Sequence, residues 1–570
     1  MAEYLIKNGY VYDPILGING DKHDVAIKDG KMVDASAVKN AKVIDANGMT
    51  VMAGGVDIHA HIAGPKLNIG RNFRPEDKLF NAKPGQGIKH MVAGHSVPTT
   101  FKFGYIYANM GYGFAMEAAM PPLYARHTHE EIRDTPIIDE AALPVFGNNW
   151  FVLEYLKNHE IENTAAYIAW ILRATKGFGI KNVNPGGTEA WAWGMNCSSI
   201  HDNVPYFDIT PAEIVTGLIE ANEYLGLPHS MHVHGNQLGE PGNYKTTLET
   251  LALAKGYKPN SKFGRDQVLH QTHLQFHSYG GDSYSSKSFE SKSKEVADYI
   301  NKQDNITFDL GVVTLDDTTT MTADGPFEQH LSHMNHLKWA NTDVELETAA
   351  GVVPFQYRKN TFIAVAQWAV GLELALYAKD PMKCFLTTDA PNAGPLWRYP
   401  RVIKWLMSEQ ARNEVLDDAK YGEKVRDRCY IGELDREISL YELAAMTRAG
   451  TAKALGLGNM FGSLRPGMEG DVVVYPYSPE SENPEDIEYA FGNAKYFIKG
   501  GEMIINDGEI VSNGNKRTFW VDCKVNENAQ VQHDIEEKFK RYYTVGLNNY
   551  DVNEKTFLPN PHRIEVDATQ

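Results

Sequence analysis

The chain has 570 residues, 43% of them hydrophobic and 22% charged, with a formal net charge of −18. That balance is ordinary for a globular protein, the length suits one large barrel beside a smaller domain, and the acidity argues against bulk attraction to nucleic acid or an anionic membrane. Four cysteines, Cys197, Cys384, Cys429 and Cys523, are scattered without a CxxC, which excludes a disulfide framework, a zinc ribbon and a common iron–sulfur motif.

The opening stretch, MAEYLIKNGYVYDP, has no basic flank followed by an apolar run, so no signal peptide is expected. No apolar stretch is long enough to span a bilayer, and a cytoplasmic location is expected. Residues 1–52 read as short strands with turn punctuation. Residues 25–27 and 32–33 flank Asp29-Gly30, a strong hairpin signal, and Asn47-Gly48 marks another turn.

The segment VDIHAH follows, with His59 and His61 two residues apart. In a strand such residues share a face, so both imidazoles can point together and chelate one metal. A second HxH pair, His127 and His129, lies in THEE. There Thr128 and Glu131 read as a capping box, and the two histidines as surface residues in a helix's first turn.

Lys181 sits in a glycine-rich strand, GFGIKNVNPGG, before a Pro-Gly-Gly loop. A lysine aimed into a barrel is costly unless its amine is neutral, in which case it can react with CO₂ to give a carbamate that bridges two cations. A third HxH pair, His232 and His234, occupies SMHVHGN. Catalytic groups in (β/α)₈ barrels gather at the C-terminal strand ends, which favours His234 and puts His232 deeper.

In VLHQTHLQFH strand alternation puts Gln271, His273, Gln275 and His277 on one face and His270 on the other, with His277 falling just past the strand. His273 is the candidate ligand there, His277 a candidate for substrate binding, and the choice of ligand between the two stays open. KCFLTTDAP reads as a buried strand ending in Asp389. A carboxylate at that place is costly unless it binds metal, takes a proton or caps a helix.

Ser439 and Glu442 form a capping box at the head of a helix reaching residue 454. Strands follow at 471–475 and 496–498, and Gly500-Gly501 and Asp507-Gly508 punctuate two more. The last forty or so residues are polar, with a short helical stretch near 534–543.

The middle of the chain alternates short apolar strands with helical patterns, so the expected fold is α/β: a (β/α)₈ barrel with a small β-sandwich built from both termini. Residues 1–52 and 455–525 are assigned to the sandwich, 53–454 to the barrel, and 526–570 to a tail that wraps this chain or a partner, with subunit contacts the expectation. An early HxH, then Lys, His, His and Asp, each ending its own strand, are more specific together than any member. Zinc accepts imidazole nitrogen and carboxylate oxygen.

These residues give the chain a resemblance to the amidohydrolase superfamily. Within it the resemblance is to the A-subunit family of formylmethanofuran dehydrogenases, carried by GVDIHAH, MPPLYARHTHEE, KNVNPGG, HVHGN, THLQFHSYGG, TTDAPN and GSLRPGMEGD, and it runs nearly end to end. It implies a metal-dependent amidohydrolase whose ligands are His59, His61, Lys181 as N6-carboxylysine, His234 and His273. Asp389 is implied as acid/base and ligand. Two divalent cations are implied, with zinc the expected metal.

The implied reaction condenses formate with the amine of methanofuran to give formylmethanofuran, the first step of methanogenesis from CO₂, and is reversible as hydrolysis. The implied partners are a tungsten or molybdenum subunit that makes the formate and iron–sulfur subunits that supply electrons. The alternatives are a stand-alone cyclic amidase or N-acyl-amino-acid deacylase, and the formylmethanofuran hydrolase subunit of a methylotroph complex.

Overall fold

The computed structural model describes residues 2–336, 338–342, 350–526 and 529–569. Eight strands form its centre: Gly55–Ala60, Tyr112–Met120, Asp139–Pro144, Lys181–Val183, Met231–His234, Leu269–Gln271, Ile306–Asp309 and Cys384–Phe385. Each pairs in parallel with the next, the third and fourth through a single bridge between Val145 and Lys181. Helices such as Ile161–Thr175, Pro211–Leu225 and Phe362–Tyr377 fill the crossovers, as parallel strands require. Between the segments that follow the last strand and the first, the His61 N–H donates to the Ala390 carbonyl at 2.7 Å.

Strands from the two ends of the chain meet in a seven-stranded sheet, where Thr50–Ala53 pairs antiparallel with Val472–Tyr475. The Asp29-Gly30 turn joins Val25–Lys28 to Lys31–Val33, both residues with positive φ (51° and 80°), as a tight hairpin needs. A four-stranded sheet of N-terminal strands packs on the seven-stranded one through Ile27, Val51, Val472 and Ile498. The chain crosses from this unit to the eight strands at Gly54-Gly55. A Cβ on Gly55 would lie 2.6 Å from the Tyr112 ring, so only glycine fits.

Several sequence expectations change. Thr518–Val525, assigned with the small β unit, instead joins the sheet of the first three central strands, beside Asp139–Pro144. The tail adds Pro561–Ala568 to that sheet as a further parallel strand, so it packs on its own chain. Thr128 is not an N-cap: the helix Ala125–Asp134 has already begun, and the Thr128 hydroxyl donates to the Tyr124 carbonyl four residues back. His129 is accordingly fully buried rather than on the surface, with Nε2 2.8 Å from the Thr175 carbonyl. Lys181 opens its strand rather than ending it.

The strand expected to reach almost to His277 stops at Gln271. His273 takes a left-handed conformation (φ 32°), and Leu274–His277 form a 3₁₀ turn, so the two-residue alternation fails beyond Gln271. Gly311 permits this bend, because a Cβ there would lie 2.4 Å from that of His273. The four cysteines are buried and free. Among the described residues no helix is long and apolar enough to cross a membrane.

Candidate metal centre

One buried cavity at the C-terminal ends of the central strands is lined by His59, His61, Lys181, His234, His273 and Asp389. These six come from five strands or the turns after them, so convergence is a product of the fold rather than of local sequence. His277 is buried behind His273, its ring stacked at 5.5 Å between centroids, and does not line the cavity.

Strand periodicity aims His59 and His61 together, and Asp389 meets both. Its Oδ1 lies 3.0 Å from His59 Nε2 and 3.2 Å from His61 Nε2, close enough for all three atoms to hold one cation. Asp389 lies past its strand with φ 46°, and its Oδ2 accepts from Asn392 Nδ2 at 3.0 Å. On the other wall His273 Nε2 and His234 Nδ1 face each other at 3.1 Å, and His234 Nε2 contacts Asp324 Oδ2 at 3.1 Å.

A second buried group, His59, His232 and Asp309, uses the opposite nitrogen of His59. Buried His/Asp groups of this kind around the cavity are consistent with a site for two metal ions.

The electrostatics fit cations. Burial dominates at Lys181 and pushes its amine down to about 7. Its Nζ has no hydrogen-bond partner among the described residues, nor has His273 Nδ1. Orphaned buried polar atoms are costly, and a cation or a modification that engages them removes the cost. Burial also lowers His59 to about 4, with Lys181 adding to the shift, which keeps the imidazole neutral as a ligand must be. Burial works to raise the Asp389 carboxyl, but His273, His59 and His61 outweigh it and hold the group ionised.

Several site residues escape sequence reasoning. Glu117 is buried within the strand Tyr112–Met120 and accepts from the Ile62 and Ala63 N–H groups at 2.7 and 2.8 Å, with His61 Nδ1 at 3.4 Å and Lys66 Nζ in contact. Burial raises its carboxyl, yet Lys66 and His61 bring it down to about 2. Asp309 ends its strand just as Asp389 follows one, and it accepts from the His273 N–H at 3.0 Å and the Thr387 hydroxyl at 2.5 Å. Asp57 accepts from the hydroxyls of Tyr107 and Tyr399 at 2.8 and 2.7 Å. An acid inside an otherwise apolar strand is the signal that marks Glu117, Asp309 and Asp57.

The model of the Amidohydrolase family matches residues 42–511. Over its full length the chain is 53% identical to Protein FwdA of Methanocaldococcus jannaschii, with 99% of that protein covered. It is 33% identical to the FhcA component of the formyltransferase/hydrolase complex of Methylorubrum extorquens, over 98% of each chain. The crystal structure of the formyltransferase/hydrolase complex FhcABCD from that organism, in complex with methylofuran, contains a chain that matches with a TM-score of 0.88. The identity there is 31%, and 99% of each chain is covered.

Proposed function

Because this chain belongs to the amidohydrolase family and is a full-length homologue of FwdA, we propose that it is the A subunit of a formylmethanofuran dehydrogenase. In this reading it joins formate to the amine of methanofuran, and in reverse hydrolyses the formamide. The observation that carries it is the convergence of His59, His61, Lys181, His234, His273 and Asp389 on one buried cavity. We read the eight parallel strands as a (β/α)₈ barrel with this cavity at its C-terminal mouth. Residues 1–52 and the strands from 472 to 510 we read as its companion β-sandwich.

The donor set suits two divalent cations, zinc foremost, held by His59, His61, His234, His273, Asp389 and Lys181 as its carbamate. Such ions, when bound, polarise a carbonyl and make water acidic near neutral pH. The chain's own groups do the rest. Burial keeps part of the Lys181 amine neutral, so its lone pair can form the N–C bond to CO₂ with loss of a proton.

Asp389 sits where it can take a proton from the attacking water and deliver it to the leaving amine nitrogen; in condensation it returns that proton to the departing oxygen. Asn392 holds one Asp389 oxygen and so fixes which oxygen turns toward the cavity. The wall that shuts out water is apolar, with Met321, Phe276 and Phe327 among its members, and this favours a neutral nucleophilic amine over ammonium.

The chain carries no redox motif, so we assign CO₂ reduction to a partner that holds tungsten or molybdenum, and electron supply to iron–sulfur subunits of the same complex. A second reading, a hydrolase subunit working in the direction of formamide cleavage, is favoured by the full-length likeness to the Fhc chain. Metal analysis and a formylmethanofuran hydrolysis assay on the purified complex test both readings. About two metal ions per copy of this chain are expected. Asp389→Asn is expected to cut turnover by at least ~100-fold while the chain stays folded. Unchanged turnover in that variant removes Asp389 from the chemistry, and a wild-type chain without metal removes the whole reading.

A further inference from the structure

His232 is half of an HxH pair and lies in the deeper His/Asp cluster, yet it does not line the cavity. Its surroundings point elsewhere. His59 Nδ1 lies 2.9 Å from His232 Nε2, and His232 Nδ1 lies 2.9 Å from His229 Nε2. His229 Nδ1 in turn lies 2.8 Å from the Ala454 carbonyl oxygen. All three rings are fully buried.

We infer that His232 and His229 are positioning residues: with the Ala454 carbonyl they form a one-way relay of hydrogen bonds that fixes the His59 proton on Nδ1 and leaves the Nε2 lone pair free to hold a cation. The inference rests on the reading of His59 as a metal-holding residue.

The direction of the relay follows from its far end. A carbonyl oxygen only accepts, so His229 must carry its proton on Nδ1. A neutral His229 then has a bare Nε2, which can only accept from His232 Nδ1–H. His232 Nε2 is bare in its turn and accepts from His59 Nδ1–H. Running the relay backwards would set a ring lone pair against the Ala454 oxygen, or would need an extra proton on His229. That proton would sit in a fully buried ring beside His270 and Arg265, where burial disfavours it most.

The anchor is well chosen. Ala454 ends the helix segment Gly450–Ala454, so its carbonyl is one of the acceptors that a helix C-terminus leaves unpaired, at the negative end of the helix. Gln267 Nε2 donates to the same oxygen at 2.7 Å.

Asp309 supports the same outcome from the side. Its Oδ2 is 3.6 Å from His59 Nδ1 and, like His232 Nε2, can only be served by a proton on that nitrogen. The carboxylate is itself held by His270 Nε2 at 3.1 Å, and His270 Nδ1 accepts from the Thr307 hydroxyl at 2.9 Å. In this arrangement the deeper cluster is a hydrogen-bonded support for His59. Outer partners of this kind set ligand tautomer and orientation, and their loss costs metal affinity.

Neutron diffraction from deuterated crystals of the metal-free full-length chain reads the relay directly. In the metal-free chain Asp389 Oδ1, 3.0 Å from His59 Nε2, competes for the His59 proton. Deuterium is nevertheless expected on Nδ1 of His59, His232 and His229, and a bare Nδ1 on any of the three overturns the inference. Zinc titration of the same chain is the second measurement. His232→Phe is expected to weaken zinc binding by about 10- to 100-fold. His232→Gln, whose amide oxygen can accept from His59 Nδ1–H, is expected to recover most of that loss.

Equal zinc affinity in His232→Phe and wild type overturns the inference, as does a zinc ion lying between His59 Nδ1 and His232 Nε2. A wild-type chain that shows the expected deuterium pattern but takes up no zinc leaves the relay standing and overturns the metal reading instead.

Discussion

A buried amine with no hydrogen-bond partner prefers to be neutral, and Lys181 is 1% exposed with an unpartnered Nζ. This has a consequence for the metal-free chain. Burial lowers the folded-state value from 10.5 to about 7, so between those values the unfolded chain binds more protons than the folded one. Folding stability from this group therefore rises as pH climbs from about 7 to 10.5, and the penalty of burying ammonium is felt in full below that window. Lys181→Met removes the term. The expected result is that wild type gains unfolding temperature relative to Lys181→Met as pH is raised through that range, in chelator-treated samples without CO₂. Parallel pH profiles for the two proteins would show that the amine is solvated.

The same residue scale explains what could be read early. His59, His61, His234 and Asp389 stand out because a strand's two-residue period, or its sudden end at an acid, leaves a mark in sequence. Glu117 and Asp309 carry only the weaker mark of an acid in an apolar strand, because the backbone groups they hold, at Ile62 and His273, lie 55 and 36 residues away.

At the scale of elements, local chemistry decides how well the chain can be read. Ser439 and Glu442 bond reciprocally as the capping box requires, with the Ser439 hydroxyl accepting from the Glu442 N–H at 3.2 Å. The helix then runs on through a π-helical turn, Ala445–Ala449, to Ala454. Ser439→Ala leaves helix-end N–H groups without an acceptor and is expected to cost ~1 kcal/mol. Urea unfolding checks this, and a loss within error of zero would show that water replaces the cap. Because Ala454 anchors His229, the same variant is also a probe of whether the helix can loosen without disturbing the relay; zinc affinity is expected to stay unchanged.

The THEE segment carries an identical local signal and misleads. Pro121 and Pro122 start the chain turning early, and the residues from Pro122 to Tyr124 already form a 3₁₀ turn that runs into the helix. The segment 268–277 misleads for a different reason. Its left-handed turn at His273 is held by long-range contacts, the Asp309 carboxylate on its N–H and Gly311 against its Cβ, which no local pattern reports.

The whole molecule is closed by segments far apart in sequence, and the tail is the clearest case. Pro561–Ala568 pairs with Thr518–Val525 along all eight residues. That neighbour contains Phe519, Trp520 and Val521, all buried, and without the tail it would be a long apolar sheet edge. Exposed edges of that kind pair with other chains. Polar composition makes the tail look detachable, but its alternation is the pattern of a strand with one covered face: Ile564 and Val566 are buried, and Arg563, Glu565 and Asp567 are more open. The Ile564→Asp, Val566→Asp double variant should therefore cost at least ~3 kcal/mol, from the loss of two buried aliphatic side chains. It should also give concentration-dependent light scattering on mild heating. The cavity residues are in other elements, so zinc content at low temperature is expected to match wild type. A double variant that unfolds at the wild-type temperature and stays monodisperse would mean that the strand merely rests on the sheet, leaving this face of the molecule free for other subunits.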